Sequence, residues 1–342
     1  MNNKYTYFGA ANGFSGFRSN FGKIFSPYVN DKLFIIKGGP GTGKSTLMRR
    51  IYERYSEAYD VTTVLCSSDP KSLDGLLIKN GKYTVGVVDG TAPHVVEPLY
   101  PGSVEEIINL GDSFDCKALT AAKSEIVELS ERKKEHYKRA YDSLKIAGDI
   151  YEYVTSNFLK CSCYSEAEKI FIEFGASDKD SKGTCERSDF WIGAFCKNGY
   201  KRLNVTDKNR RYVKVKGDGI SEYALLSELS AFVQRSRINA LIYSSALSQD
   251  LTDAVMTDTC NYIISNSSEY DVDSTLLAPR NREYERLLSS YKCFIDSAQI
   301  SLIKASEYHF KLEEIYTEAM SFEKNESKYK HILDTLDSIF DK

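Results

Sequence analysis

The chain has 342 residues, 42% of them hydrophobic and 12% aromatic, which argues against a disordered chain and leaves room for two or more domains. Its 45 basic and 48 acidic side chains give a formal charge of -3, so no overall basic field draws it to nucleic acid or to an anionic membrane. No apolar run approaches the roughly 20 residues of a bilayer span, residues 1–16 lack the apolar core of a signal or transit peptide, and the scattered cysteines read as reduced thiols of a cytoplasmic protein.

In chain order, the first clear element is a strand over residues 31–37, where Leu33, Phe34, Ile35 and Ile36 form the short apolar run of a buried parallel strand. It runs into Gly38-Gly39-Pro40-Gly41-Thr42-Gly43-Lys44-Ser45-Thr46, after which Leu47, Met48, Ile51 and Tyr55 recur at helical spacing. A second strand is predicted over 61–66, before the polar turn Ser67-Ser68-Asp69-Pro70. A third, over 83–89, ends on Asp89 and is followed by Gly90-Thr91. This alternation predicts a small parallel sheet with helices against it. From about Lys117, Ile126, Leu129, Tyr137, Tyr141, Leu144, Ala147 and Ile150 predict long helices folded as a hairpin. The polar, glycine-containing stretch from Gly175 to Arg187 is the expected domain boundary.

Beyond that boundary the sequence echoes itself. Phe8-Gly9-Ala10 aligns with Ile192-Gly193-Ala194, residues 34–41 with 212–219, and Val64 to Asp69 with Leu241 to Ala246. Ala140, Leu144 and Ala147 match Ala298, Leu302 and Ala305. The copies are unequal: with one residue gapped, Gly43-Lys44-Ser45 meets Ser221-Glu222-Tyr223, Asp69 meets Ala246 and Asp89 meets Ser265. A glutamate in place of a phosphate-binding lysine repels a triphosphate, so the second copy is expected to keep the fold and lack this chemistry.

In the pattern Gly38-x-x-x-x-Gly43-Lys44-Ser45, the glycines let successive backbone N–H groups turn inward around phosphate oxygens at a helix N-terminus. Gly38 to Thr46 are therefore the candidate nucleotide-binding residues. Lys44 is expected to reach the β- and γ-phosphates, Ser45 to offer its hydroxyl to Mg2+, and Thr46 to contact the α-phosphate. Asp89 is the expected partner of the metal, through a water. Gly90 follows it, so the water-activating glutamate of many ATPases is missing at that place. Asp69, Thr91 and His94 are left as candidates for handling the nucleophile, and Lys44, Asp69, Asp89 and His94 form the candidate catalytic set. Arg49 and Arg50 read as a solvated helix face. Cys161, Cys163, Cys185 and Cys196 lack zinc-knuckle spacing and read as plain thiols.

Phe8-Gly9-Ala10-Ala11-Asn12, the loop KGGPGTGKSTLM, Cys66 to Pro70 with Ser72-Leu73-Asp74-Gly75, DGTAPH, Pro101-Gly102 and IINLGD together resemble an uncharacterised family of bacterial tandem P-loop ATPases, sometimes labelled nucleotide kinases. The motifs are specific in the first half and weak in the second. The resemblance implies an α/β fold of duplicated P-loop NTPase-type parallel-sheet cores, each followed by a long helical hairpin. The expected divisions are 1–114, 115–182, 183–275 and 276–342. It also implies ATP and Mg2+ as cofactors. The family's second half often keeps its own glycine-lysine loop, whereas this chain has Gly217-Asp218-Gly219-Ile220-Ser221-Glu222. Three functions follow as expectations: a Mg-dependent ATPase whose helical hairpins carry a protein partner, a nucleotide or small-molecule kinase, and an ATP-binding scaffold with little turnover. The basic run from Arg132 to Arg139 is interleaved with acidic residues and does not point to nucleic acid.

Overall fold

The computed structural model describes residues 4–175, 183–204, 210–265 and 270–341. The expected boundary at Gly175 to Arg187 falls partly on residues 176–182, outside the described residues. The first half comprises β1 (Lys4–Phe8), the hairpin of β2 (Ala10–Gly13) and β3 (Gly16–Ser19), a single helical turn α1 (Phe21–Ile24), β4 (Lys32–Lys37), α2 (Lys44–Tyr55), β5 (Asp60–Leu65), β6 (Leu73–Lys79), β7 (Thr84–Asp89) and β8 (Glu105–Asn109). Next come α3 (Cys116–Ala121), α4 (Lys123–Val154), a π-helical turn and α5 (Lys160–Phe174). The second half repeats the plan. It has β9 (Cys185–Arg187), the hairpin of β10 (Gly193–Cys196) and β11 (Gly199–Arg202), β12 (Arg211–Lys216), α6 (Ser221–Arg235), β13 (Ala240–Ser244), β14 (Thr252–Thr257), β15 (Cys260–Ile264) and β16 (Val272–Asp273). Helices α7 (Arg282–Glu318) and α8 (Glu326–Phe340) follow.

The chain is thus α/β, with two six-stranded sheets of the same order: β1-β5-β6-β7-β4-β8 and β9-β13-β14-β15-β12-β16. They are mixed rather than parallel, because β6 and β14 each run antiparallel to both neighbours. The expectation of purely parallel cores is corrected there. β6 carries no strand signal in the sequence, because Leu73 to Ile78 are buried on both faces and show no alternation.

The two sheets also share one irregularity. The register shifts between Val64 and Leu65 opposite β6, and between Tyr243 and Ser244 opposite β14, skipping Asp74 and Asp253 in turn. This aligns Val64 with Tyr243, so Asp69 corresponds to Ser248 and not to Ala246. Gly90 and Ser265 donate in the same way to the carbonyls of Ile36 and Val215, which aligns Asp89 with Ile264 rather than Ser265. Phe8 and Trp191 exchange both backbone hydrogen bonds, at 2.8 and 2.9 Å, across a local two-fold relation between the halves. Phe8 therefore corresponds to Trp191, one residue before the match read from sequence.

The helices do not close as hairpins on their own halves. Ala140, Leu144, Ala147 and Tyr151 of α4 share a core with Tyr291, Ala298 and Leu302 of α7, and the small residues let the two axes approach closely. Helix α5 then crosses to the second sheet, placing Cys163, Ala167, Ile170 and Phe171 beside Val213, Val215 and Tyr262. Helix α8 makes the reciprocal move: Ile332, Leu336 and Phe340 pack with Phe34, Ile36, Val85 and Val87 of the first sheet and with Met48, Ile51 and Tyr55 of α2. Arg50 forms a two-pronged pair with Glu326 at 2.8 and 2.9 Å, and Tyr55 donates to Asp337 at 2.6 Å, fixing α8 along α2. Each sheet is completed by a helix from the other half's appendage. No helix among the described residues is long and apolar enough to cross a membrane.

Candidate functional site

Buried strand β4 ends at Lys37, and the glycine loop carries the chain from it into α2. Gly41 (φ +71°) and Gly43 (φ +82°) take left-handed conformations that side-chain-bearing residues rarely adopt, and this lets the loop curl back over its own strand. Helix α2 begins at Lys44 with no side chain capping its first turn. Its leading N–H groups therefore keep the partial positive charge of a helix N-terminus. The Lys44 ammonium donates to the carbonyls of Gly38 (3.0 Å) and Gly39 (2.7 Å), and Thr42 Oγ1 donates to Gly39 O at 2.9 Å. Ser45 Oγ accepts the N–H of Leu73 at 2.9 Å, tying the loop to the start of β6. Thr46 is exposed on the first turn of α2, and Pro40 is half-buried in the loop.

Asp89 closes the arrangement. β7 lies parallel beside β4 with Asp89 opposite Ile36, so its carboxylate reaches the end of the sheet where the loop begins. One oxygen accepts the N–H (3.0 Å) and hydroxyl (2.5 Å) of Thr91, and the other stands 3.6 Å from the Lys44 ammonium. Thr91 thus orients Asp89. His94 is buried: its Nδ1 lies 2.9 Å from the Asp89 carbonyl, its Nε2 3.3 Å from the Asp74 carboxylate, and its ring stacks on Phe21. Burial disfavours its charged form, but hydrogen bonding to Asp74 and the charges of Asp74 and Asp89 outweigh that and raise its pKa. In this position it braces the two aspartates from behind. Asp74, Asp89 and His94 bring ligand atoms within 4.8 Å of one another and are the one such group found among the described residues. The cysteines named above do not gather: Cys163 and Cys196 lie in separate cores and Cys161 is exposed.

Asp69 does not stand free over the loop. Its Oδ2 accepts from the ammonium of Lys197, on the turn between β10 and β11, at 2.8 Å, and its Oδ1 accepts from Lys71 N at 3.2 Å. Partial burial raises its pKa, but these hydrogen bonds and the Lys197 charge overcome burial and hold the carboxyl below its usual range. Arg49 donates to the Lys71 carbonyl and Arg50 to Glu326, so both arginines are engaged away from the loop.

The second half reaches the loop through α7 as well. Tyr316 of α7 flanks Gly39, Thr317 donates to the Gly41 carbonyl at 3.4 Å, and Phe322, on the turn between α7 and α8, lies just beyond Gly43. A Cβ at Gly41 would stand only 2.7 Å from the Glu313 carbonyl oxygen. One turn earlier, burial and the charges of Lys133, Lys44 and Lys197 press His309 down to about 4. Burial pushes Glu313 up, against the pull of Lys44 and Lys197. Asp74, Lys197, His309 and Glu313 were not found from sequence. Asp74 lay inside a quoted motif, and Lys197 departs from Phe14 at the matching hairpin turn; nothing local marks the two residues of α7.

The corresponding loop of the second half is filled from within. Glu222 lies in the first turn of α6, as Lys44 does in α2, and its carboxylate accepts the N–H of Gly219 at 3.0 Å. Asp218 Oδ1 accepts from Ile220 N and Ser221 N, both at 3.0 Å. The donors that could face an anion are thus occupied by the chain's own carboxylates.

No family model, curated protein or solved structure matches this chain.

Proposed function

We propose that the first half binds a Mg2+-nucleoside triphosphate in the glycine loop and hydrolyses it. The observation that carries this reading is the placement of Lys44. Its ammonium bridges the loop carbonyls of Gly38 and Gly39 and faces Asp89 on the neighbouring parallel strand, at the mouth of an uncapped helix. An incoming phosphate would replace the two carbonyls as acceptors and meet the N–H groups of the first turn of α2. The Ser45 hydroxyl and Asp89, the latter through a water, would hold the magnesium ion, which when bound draws charge from the β- and γ-oxygens. Both fit that role: Ser45 uses its oxygen only as an acceptor for Leu73 N–H, and one Asp89 oxygen is left facing Lys44. The expected nucleotide is ATP, on the family resemblance. The second half contributes no equivalent site, since Glu222 and Asp218 occupy its loop.

A second reading, a nucleotide-responsive scaffold with little turnover, is favoured by the last turns of α7 lying against Gly39 and Gly41, because ordering the loop would move a helix of the other half. Titration with a fluorescent ATP analogue and a phosphate-release assay, both in Mg2+ and against Lys44→Ala, separate these readings. Saturable binding with release lost in Lys44→Ala supports the hydrolase. Binding without release supports the scaffold, and no binding by the wild-type chain removes both.

A further inference from the structure

We propose that the second half is retained because it delivers Lys197 to the γ-phosphate of the nucleotide bound by the first half. This rests on the nucleotide reading above and adds a residue from outside that core. The local two-fold relation supplies an internal control. Phe14 and Lys197 occupy the same position in their hairpin turns: Phe14 N donates to Leu247 O at 2.8 Å, and Lys197 N donates to Ser68 O at 3.4 Å. Each turn therefore docks on the opposite half, Phe14 against Leu247 and Lys197 against Ser68. On the side of the filled loop the turn residue is Phe14, packed near Gly148 and Tyr151, and Tyr151 feels the charge of Glu222. Over the open loop it is a lysine, and the counterpart of Tyr151 on α7, by the match of Ala140 with Ala298, is His309. At this turn position the side chain is charged in the second half and apolar in the first.

Packing does not account for Lys197. Its side chain is 20% exposed and its partner Asp69 is 29% exposed. A pair this close to solvent adds little to stability, and the matching turn of the first half carries apolar Phe14 in its place. The turn is nevertheless held firmly. The Gln299 amide donates to the Lys197 carbonyl, and the ammonium lies 4.4 Å from the centre of the Phe310 ring. Phe310 precedes Glu313 and Thr317, which touch the loop, by three and seven residues, roughly 5–10 Å along the helix axis. This brings the ammonium within reach of a phosphate projecting from the loop. Lys44 and Lys197 also act together on both His309 and Glu313.

In the hydrolytic step, a water oxygen forms a bond to the γ-phosphorus while the bond to the bridging oxygen breaks and leaves its electron pair on the nucleoside diphosphate. The displaced proton leaves with inorganic phosphate and the solvent. Lys197 keeps its own proton throughout, exchanging Asp69 for an equatorial γ-oxygen as charge builds there.

The test uses the full chain and Lys197→Met, which keeps the stem over Phe310. Affinity is measured for a non-hydrolysable Mg·ATP analogue and for Mg·ADP, together with kcat for phosphate release. Expected are a loss of about 10-fold or more in ATP-analogue affinity, ADP affinity within about two-fold of wild type, and a fall in kcat on the order of 100-fold. Unchanged ATP-over-ADP preference, or an equal loss for both nucleotides, would overturn the proposal while leaving the nucleotide site standing. A wild-type chain that binds neither nucleotide overturns the underlying reading as well. Should the variant fail to fold, an amine-reactive acyl phosphate of ATP on the wild-type chain gives the answer: acylation at both Lys44 and Lys197 supports the contact, and acylation at Lys44 alone refutes it.

Discussion

Lys44 and Glu222 both lie in the first turn of the helix that follows their loop, α2 and α6, and bind those loops with opposite charge. The Lys44 ammonium donates to the Gly38 and Gly39 carbonyls, whereas the Glu222 carboxylate accepts from Gly219 N–H. One loop carries a cation and the other is filled by its own carboxylates. That contrast makes the first half the place to look for ligand and the second half the place to look for support.

Lys44→Ala is expected to weaken nucleotide binding by about 10-fold or more, because it removes charge-assisted hydrogen bonds to phosphate. The check is thermal unfolding with and without Mg2+ and ATP. The wild-type chain should gain stability with ligand concentration, and the variant should show little or no gain at the same concentrations.

Glu222→Ala is expected to destabilise the chain by about 1 kcal/mol, because it strips the half-buried Gly219 N–H of its acceptor. Nucleotide affinity of the first half should change less than two-fold. Denaturant unfolding and nucleotide titration of the same variant measure the two effects separately. A drop in nucleotide affinity as large as that of Lys44→Ala would contradict the assignment of Glu222 to a purely internal role.

His309 carries a pH prediction. Burial and then Lys133, Lys44 and Lys197 lower its pKa from 6.5 to about 4, and Asp69 only partly offsets them, with the Glu313 carboxylate 3.7 Å from its Nε2. Between those values the unfolded chain binds a proton that the folded chain does not, so the His309 contribution to stability is present above about pH 6.5 and lost as pH falls toward 4. His309→Gln should flatten that part of the stability profile. In the wild-type chain, bound triphosphate should offset the three lysines and raise the His309 pKa, measurable from its imidazole NMR resonance.

The exchange of α5 and α8 predicts that neither half is stable alone. Residues 1–175 expressed by themselves expose the apolar surface that Ile332, Leu336 and Phe340 cover, and should bind a hydrophobic dye. Adding residues 183–342 should suppress that binding. In the intact chain, Leu336→Ala should cost about 2–5 kcal/mol and destabilise the first sheet, although residue 336 lies far from it in sequence. Hydrogen exchange on β4 and β7 reads this directly.

The sequence by itself determined the loop, its strand, its helix and the aspartate at the end of β7. Each is written in a few contiguous residues: a buried apolar run, glycines where the backbone must turn left-handed, and apolar residues at helical spacing. It also revealed the duplication, because Ala140, Leu144 and Ala147 recur as Ala298, Leu302 and Ala305. Tertiary structure alone decided what those elements touch. Helical periodicity tells that a face is buried and not against which partner, so the crossing of α5 and α8 to opposite sheets left no local mark. β6 showed no alternation because both its faces are covered, and the register shift at Asp74 and Asp253 that matches Val64 with Tyr243 is visible only in the paired sheets. For the same reason Lys197 could not be placed: its meaning depends on Asp69, 128 positions away in the chain, and on α7, which the fold brings over the loop.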